Sequence, residues 1–306
     1  VFEQDLVNKE VDVVKEERRL RTDDQPISKV FEKIGQQIFG MSGYGIPIVG
    51  TMNDISNVTI SNLKKWYDNY YVPSNAIVII AGDIDFDRTK ELVKKYYGKI
   101  EDQKPIKLEN PIDHETSFDD MLVRDKVSQP IVLMSFKNKP FSENNKKEMY
   151  TLELLFELMD GSNSSRFTRN LIDKKQTAIN TFISYDTYSR KENLITLGGS
   201  PRKGISPNQF REEILNEFQE FVNSGLEDGE LDQVKSRLLA NNIYKFDSVF
   251  YQVMQVGMLE TKNYNWRLLD SYMEDINSIN EDDLKNIAKK FILNKKHLYS
   301  LIEPKS

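Results

Sequence analysis

The order of the predicted strands and helices is the strongest constraint on the fold of this chain. Strands are predicted at about 121–127, 131–136, 178–188, 193–200 and 297–302. Helical patterns between and after them are predicted at about 144–159, 165–174, 207–223, 228–245, 248–261, 264–274 and 281–291. Because strands and helices occur in separate runs, this part of the sequence predicts an α+β fold.

The first third of the chain has a different pattern. Helices are predicted at about 6–21, 28–39, 60–71 and 87–97. The one strand predicted here, Ala76–Ala81, is a continuous apolar run, which is typical of a strand buried on both faces. Residues 105–117 contain two prolines and little apolar periodicity, so they are predicted to form a linker. A chain of 306 residues is long enough for two domains. We therefore predict domains at 1–104 and 118–306.

Composition excludes several classes of protein. The net charge of −6 argues against nucleic-acid binding, which usually requires a strongly basic face. No stretch approaches the ~18 consecutive apolar residues that span a bilayer, so no membrane span is predicted. The absence of cysteine excludes disulfides, thiolate zinc sites and cysteine nucleophiles. The two histidines, His114 and His297, lie far apart in sequence, so this chain cannot build a site from several histidines.

Two glutamates interrupt the apolar stripe of the first predicted helix. Glu10 and Glu17 are seven residues apart, so their carboxylates project from the same side of the helix. A carboxylate on an apolar face needs a cationic partner or a metal ion. On spacing alone, ordinary ion pairs with Arg18 or Arg21 are the more common arrangement. The other interpretation is that one of them is an oxygen ligand for zinc.

Several motifs in order along the chain resemble one family. The run Lys9–Asp24 is similar to the helix that follows the inverted zinc motif in the pitrilysin/insulinase (M16) metallopeptidases. The glycine-proline loop Tyr44–Gly50 and the segment Leu63–Asp83 are similar to later parts of the same domain. Gly161–Phe167 resembles the beginning of a helix in the second domain. The resemblance covers essentially the whole chain and implies two related domains, each a sheet with helices packed on one face.

The resemblance also assigns roles to the two carboxylates. Family members hold zinc with two histidines of a His-x-x-Glu-His motif and one glutamate further along the chain, and the zinc-activated water attacks a peptide carbonyl. Glu17 aligns with the glutamate ligand. Glu10 aligns with the helper glutamate that orients the site, and is the candidate catalytic residue. His-x-x-Glu-His is absent here, because His114 is followed by Glu115-Thr116-Ser117-Phe118. The motif is predicted to lie upstream of Val1, with the first domain truncated at its N-terminus.

Two functions follow from the resemblance. The first is a zinc-dependent endopeptidase of peptides or unfolded segments, of which this chain is the inactive portion after the motif. The alternative is a non-catalytic scaffold or partner subunit of the same fold. Retention of both Glu10 and Glu17 favours the endopeptidase.

The substrate-gripping positions depart from the family. Members often place an arginine and a tyrosine, seven residues apart, where they hold the substrate backbone, whereas this chain has Ile172 and Ile179. Isoleucine cannot donate those hydrogen bonds. The resemblance therefore implies that a second M16 subunit, or the missing N-terminal segment, acts with this chain.

Overall fold

The computed structural model describes residues 3–40, 43–106 and 115–305. Helices form the regular structure of the first described third of the chain. Their bounds are α1 Gln4–Arg18, continued by a π-helical turn Arg19–Asp23, α2 Pro26–Phe39, α3 Met52–Ser56, α4 Ile60–Tyr70 and α5 Phe86–Tyr97. The helix starts have local causes. Thr59 accepts a hydrogen bond from the backbone N–H of Asn62, and α2 begins at Pro26 because proline suits the first helical position.

The rest of the chain folds as a sheet with a helical layer, which confirms the α+β prediction. The strands are β1 Met121–Asp125, β2 Ile131–Asn138, β3 Ala178–Ser184, β4 Asn193–Pro201 and β5 Leu298–Pro304. The helices are α6 Lys146–Asp160, α7 Pro207–Ser224, α8 Glu230–Phe246, α9 Val249–Thr261, α10 Leu268–Asn277 and α11 Glu281–Ala288, with π-helical segments at Thr168–Lys174 and Lys289–Leu293. No helix within the three described ranges is both long and apolar enough to cross a membrane.

The five strands form one mixed sheet in the order β1-β5-β2-β4-β3. β1 and β5 are parallel, and the other neighbouring strands are antiparallel. Alternation along β2 divides the two faces of the sheet. Val132, Met134 and Phe136 belong to the main core with α6, α7 and α11, whereas Leu133 belongs to a second cluster on the opposite face.

The helix α2 covers that opposite face. Its buried residues Val30, Ile34 and Ile38 pack with Leu133 of β2 and with Leu298 and Ile302 of β5. Residues 26–39 therefore lie on the sheet formed by residues 121–304, although they are far from it in sequence. The sheet has helices on both faces, one layer from its own segment and one helix from the first third of the chain.

The predicted strand Ala76–Ala81 is wrong for this structure. Residues 76–81 have no regular secondary structure, and they pair with no strand among the described residues. Ile77, Val78 and Ile80 are about half exposed, at 49%, 54% and 46%. Ile79 lies against α9, since a Cβ built on Gly257 would stand 3.3 Å from its Cδ1. Sequence predicts the extended conformation from apolar composition, but a strand also needs a hydrogen-bonding neighbour.

The interface between α2 and the sheet predicts a large stability difference between two isoleucines. Ile34 is fully buried, whereas Ile48 is fully exposed. Ile34→Ala should lower the free energy of unfolding by about 2–5 kcal/mol, because it leaves a cavity under the sheet. Ile48→Ala should change it by less than about 0.5 kcal/mol. Denaturant unfolding of both variants measures the difference, and equal losses would contradict the described packing.

The carboxyl group at the end of α6 predicts a pH dependence. Burial raises the pKa of Asp160 to about 6, although the Thr181 hydroxyl donates to its carboxylate at 2.7 Å. The carboxyl group of Asp160 therefore binds its proton more tightly in the folded state than in the unfolded chain. The resulting stabilisation is complete below the ordinary pKa of 3.8 and is lost as pH rises through about 6.

Asp160→Asn should remove this dependence. Between pH ~4 and ~7, the wild-type free energy of unfolding should fall relative to that of the variant by at most about 3 kcal/mol. The exposed Asp173→Asn is the control and should track the wild type. Denaturant unfolding across this pH range is the measurement, and parallel curves for wild type and Asp160→Asn would disprove the assignment.

Candidate functional site

The helix α1 presents the two candidate carboxylates. It runs without interruption from Gln4 to Arg18, so the predicted alignment of Glu10 and Glu17 along one side is retained. Glu10 is exposed and lies at the wall of an apolar cavity of about 450 Å³ between α1, α3 and α4. The apolar residues around it are Leu6, Val7, Val11, Val14, Val49, Ile55, Val58 and Leu63.

A second carboxylate on this cavity already has hydrogen-bond donors. Asp54 accepts from the backbone N–H of Thr51 at 2.8 Å and from its hydroxyl at 2.7 Å. The backbone bond from Thr51, together with the Asp54 N–H donating to the Thr51 hydroxyl at 3.1 Å, forms the capping box of α3. The two bonds from Thr51 lower the pKa of Asp54. Asp54 therefore serves the start of a helix, and Glu10 is the carboxylate that α1 brings to the cavity.

Glu17 forms the ordinary ion pair that spacing favours. Its side chain is 44% exposed, and its Oε1 lies 3.1 Å from Nε of Arg21, one helical turn later. Exposed pairs of this kind contribute about 0.2–1 kcal/mol, so the carboxylate can exchange this partner for another at little cost. The other suggested partner, Arg18, does not pair with Glu17.

Arg18 instead fixes α1 to its surroundings. This side chain is only 7% exposed. One terminal nitrogen, Nη1, donates to the carbonyl of Gly50 at 2.8 Å, and the other, Nη2, lies 3.1 Å from both oxygens of Glu32 on α2. Nη2 also lies 3.2 Å from Asp23 in the π-helical turn. The sequence gives Arg18 no distinguishing signal, because it stands in a run of charged residues.

The described residues do not form a complete zinc site. No group of three or more histidine, cysteine, aspartate or glutamate side chains able to hold a metal occurs in residues 3–40, 43–106 and 115–305. His114 lies outside the described residues. His297 packs against the ring of Phe136, with centroids 4.8 Å apart, and burial lowers its pKa. A zinc site that uses Glu17 therefore needs ligands from other residues.

The two isoleucines that the resemblance aligns with substrate-gripping positions lie near an arginine that the sequence analysis did not single out. Ile172 belongs to the π-helical segment before β3, and Ile179 is 40% exposed at the start of β3. Arg202 joins the backbone of Ile172 to that of Ala178, the residue before Ile179. Its Nε donates to the carbonyl of Ala178 at 3.0 Å and its Nη2 to the carbonyl of Ile172 at 3.3 Å. This guanidinium holds the chain's own backbone.

Comparison with known proteins finds relatives that are named zinc proteases. Zinc protease PqqE of Helicobacter pylori is 28% identical over 242 residues, which are 77% of this chain and 53% of PqqE. YmxG of Bacillus subtilis, named an uncharacterized zinc protease, is 24% identical over 305 residues, covering 99% of this chain and 72% of YmxG. The chain thus spans between about half and three quarters of these proteins.

The fold is shared with solved structures. The crystal structure of a protease from Helicobacter pylori matches with a TM-score of 0.87 at 24% identity, covering 99% of this chain and 73% of that one. At the level of sequence, a family model described as "Peptidase M16 inactive domain" matches residues 57–238. That match covers more than half of the chain, and the protein therefore belongs to the M16 peptidase family.

Proposed function

We propose that this chain is part of a zinc-dependent endopeptidase that cleaves peptides or unfolded segments. The observation that carries the proposal is family membership together with relatives named zinc proteases. The helix α1 supports it, because Glu17 has only an exposed ion pair to exchange and Glu10 is exposed at a cavity. In this proposal Glu17 is a zinc ligand and Glu10 orients the site.

The remaining ligands must come from outside the described residues. We place them in a His-x-x-Glu-His motif upstream of Val1. Two histidines and Glu17 would complete three protein ligands, the number that leaves a position for water in catalytic zinc sites. We also retain the domain division at 1–104 and 118–306, with a linker at 105–117. The packing of α2 on the five-stranded sheet would then be a contact between the two domains.

The second candidate is a non-catalytic scaffold or partner subunit. It is favoured by the family model that this chain matches, because that model describes an inactive domain. The upstream sequence distinguishes the candidates. An intact His-x-x-Glu-His would support the enzyme, and a degenerate motif would support the scaffold.

Zinc content tests the role of Glu17. The product of the complete reading frame should bind about one zinc per chain. Glu17→Gln should weaken zinc binding at least about tenfold, because it removes an anionic ligand, and Glu10→Gln should weaken it by roughly 10–100-fold through loss of orientation. The neighbouring Glu16→Gln is the matched control, since Glu16 is exposed and pairs with Arg19. Metal analysis after dialysis measures all four proteins.

Two results would contradict this assignment. Absence of zinc from the wild-type protein would remove the enzyme proposal and leave the scaffold. Equal zinc affinity in the wild type and Glu17→Gln would mean that Glu17 is not a zinc ligand but an ordinary helix carboxylate paired with Arg21.

Peptide cleavage should depend on a partner. Ile172 and Ile179 cannot grip a substrate backbone, and Arg202 already donates to the carbonyls of Ile172 and Ala178. We therefore expect a second M16 subunit to supply these contacts. Cleavage of an unfolded peptide by the purified full-length protein should accelerate at least about tenfold when that subunit is added, the gain expected for about 1.4 kcal/mol of transition-state binding. Equal rates with and without it would refute the partner.

A further inference from the structure

A second site lies in the helical layer behind the sheet, away from Glu10 and Glu17. The carboxyl group of Glu153, on α6, lines a cavity of about 200 Å³ whose other walls come mainly from α8, α9 and α10. The hydroxyl of Tyr272 donates to Glu153 Oε1 at 2.8 Å. The hydroxyl of Thr187 donates to Oε2 at 3.2 Å. Both oxygens of this carboxyl group thus face neutral donors.

The two carboxyl groups on this cavity differ in their partners. Glu157, one turn further along α6, is neutralised by Arg237, whose Nε donates to its carboxylate at 2.8 Å. Within the described part of the chain, no ammonium or guanidinium group forms an ion pair with Glu153. Burial raises the pKa of Glu153, and the bonds from Tyr272 and Thr187 oppose that change. A buried carboxylate of this kind is stabilised when a cation joins it.

Aromatic rings form much of the wall around Glu153. Tyr188, Tyr251 and Tyr272 all line the cavity. Tyr188 is held in place by a 2.7 Å hydrogen bond between its hydroxyl and that of Tyr150. The faces of tyrosine rings attract cations, and aromatic cages recognise quaternary ammonium ligands in this way. Asn241 adds an amide to the same wall.

The size of the cavity limits its occupant. Pockets for drug-sized ligands measure about 300–1,000 Å³, so this cavity suits a single small group. We propose that the cavity lined by Glu153, Tyr188, Tyr251 and Tyr272, here called the Glu153 pocket, binds one alkylguanidinium or alkylammonium group. Glu153 is its counter-ion and the tyrosines are its aromatic walls. This binding involves no metal and is independent of the proposed peptidase activity.

The chain carries one competitor for the pocket. Lys245, near the end of α8, is exposed and lies on the lining of the same cavity. Its charge lowers the pKa of Glu153 less than the hydrogen bonds from Tyr272 and Thr187 do. An ammonium group on a flexible stem can enter the pocket from this position. Lys245→Gln therefore removes the competing cation without touching Glu153.

Calorimetric titration with a matched pair of compounds tests the proposal. The probes are n-butylguanidinium and the neutral n-butylurea, which share size and shape and differ in charge. The product of the complete reading frame should bind the guanidinium compound at least about tenfold more tightly than the urea. Glu153→Gln should weaken binding of the cation by at least about tenfold. Glu148→Gln is the control on the same helix, because Glu148 pairs with Lys290 and lies outside the cavity.

The outcomes are separable even if Glu153→Gln folds poorly, since the comparison of the two compounds uses the wild-type protein. Preference for the cation by the wild type supports the proposal, as does preference only by Lys245→Gln, which would identify Lys245 as the occupant. Equal affinity for the two compounds overturns it. So does the absence of binding by both proteins, or a folded Glu153→Gln variant that binds the cation as tightly as the wild type.

Discussion

The packing of α2 across the five-stranded sheet is the contact on which the position of the candidate site depends. Val30, Ile34 and Ile38 bury one face of this helix against β2 and β5. On its other side Glu32 holds Arg18, which also binds the carbonyl of Gly50. Glu10 and Glu17 are therefore positioned through α2 by a sheet built from a distant part of the chain.

Arg18 is the electrostatic part of this arrangement. A buried guanidinium is costly unless carboxylates and carbonyls pair with it. Glu32, Asp23 and Gly50 pair with the two terminal nitrogens of Arg18, whereas its buried Nε has no hydrogen-bond partner among the described residues. Removing one partner of such a group leaves a buried charge uncompensated. This penalty makes the relative placement of α1, α2 and the loop before α3 specific, whereas the apolar contacts alone would tolerate small shifts.

Much of the fold could be predicted from the sequence, because its signals are local. The start of α4 at Ile60 follows from the capping threonine Thr59, and β2 and β4 follow from short apolar runs. What covers an apolar face depends on residues far away in sequence. The packing of α2 on the sheet could therefore not be predicted, and Ala76–Ala81 was wrongly predicted as a buried strand. For the same reason, the specific role of one residue within a run of charged residues cannot be recognised from the sequence. Glu17 is paired as spacing suggested, but burial of its neighbour Arg18 has no local signature.

The segment 76–81 has a consequence for the behaviour of the chain in solution. Ala76-Ile77-Val78-Ile79-Ile80 is uncharged, rich in β-branched residues and free of proline, which is the composition of steric-zipper segments. The Ala76 N–H donates to the carbonyl of Pro73 at 3.0 Å, and no other backbone hydrogen bond of residues 76–81 occurs within the described residues. Unpaired backbone groups of this kind can hydrogen-bond to a strand of another chain, as at an uncovered sheet edge. Pro73 and Asp83 flank the segment and act as gatekeepers against such pairing. Where the apolar surface of this segment is left uncovered, self-association through cross-β stacking competes with the native fold, and the solubility of the protein reports how well the segment is covered.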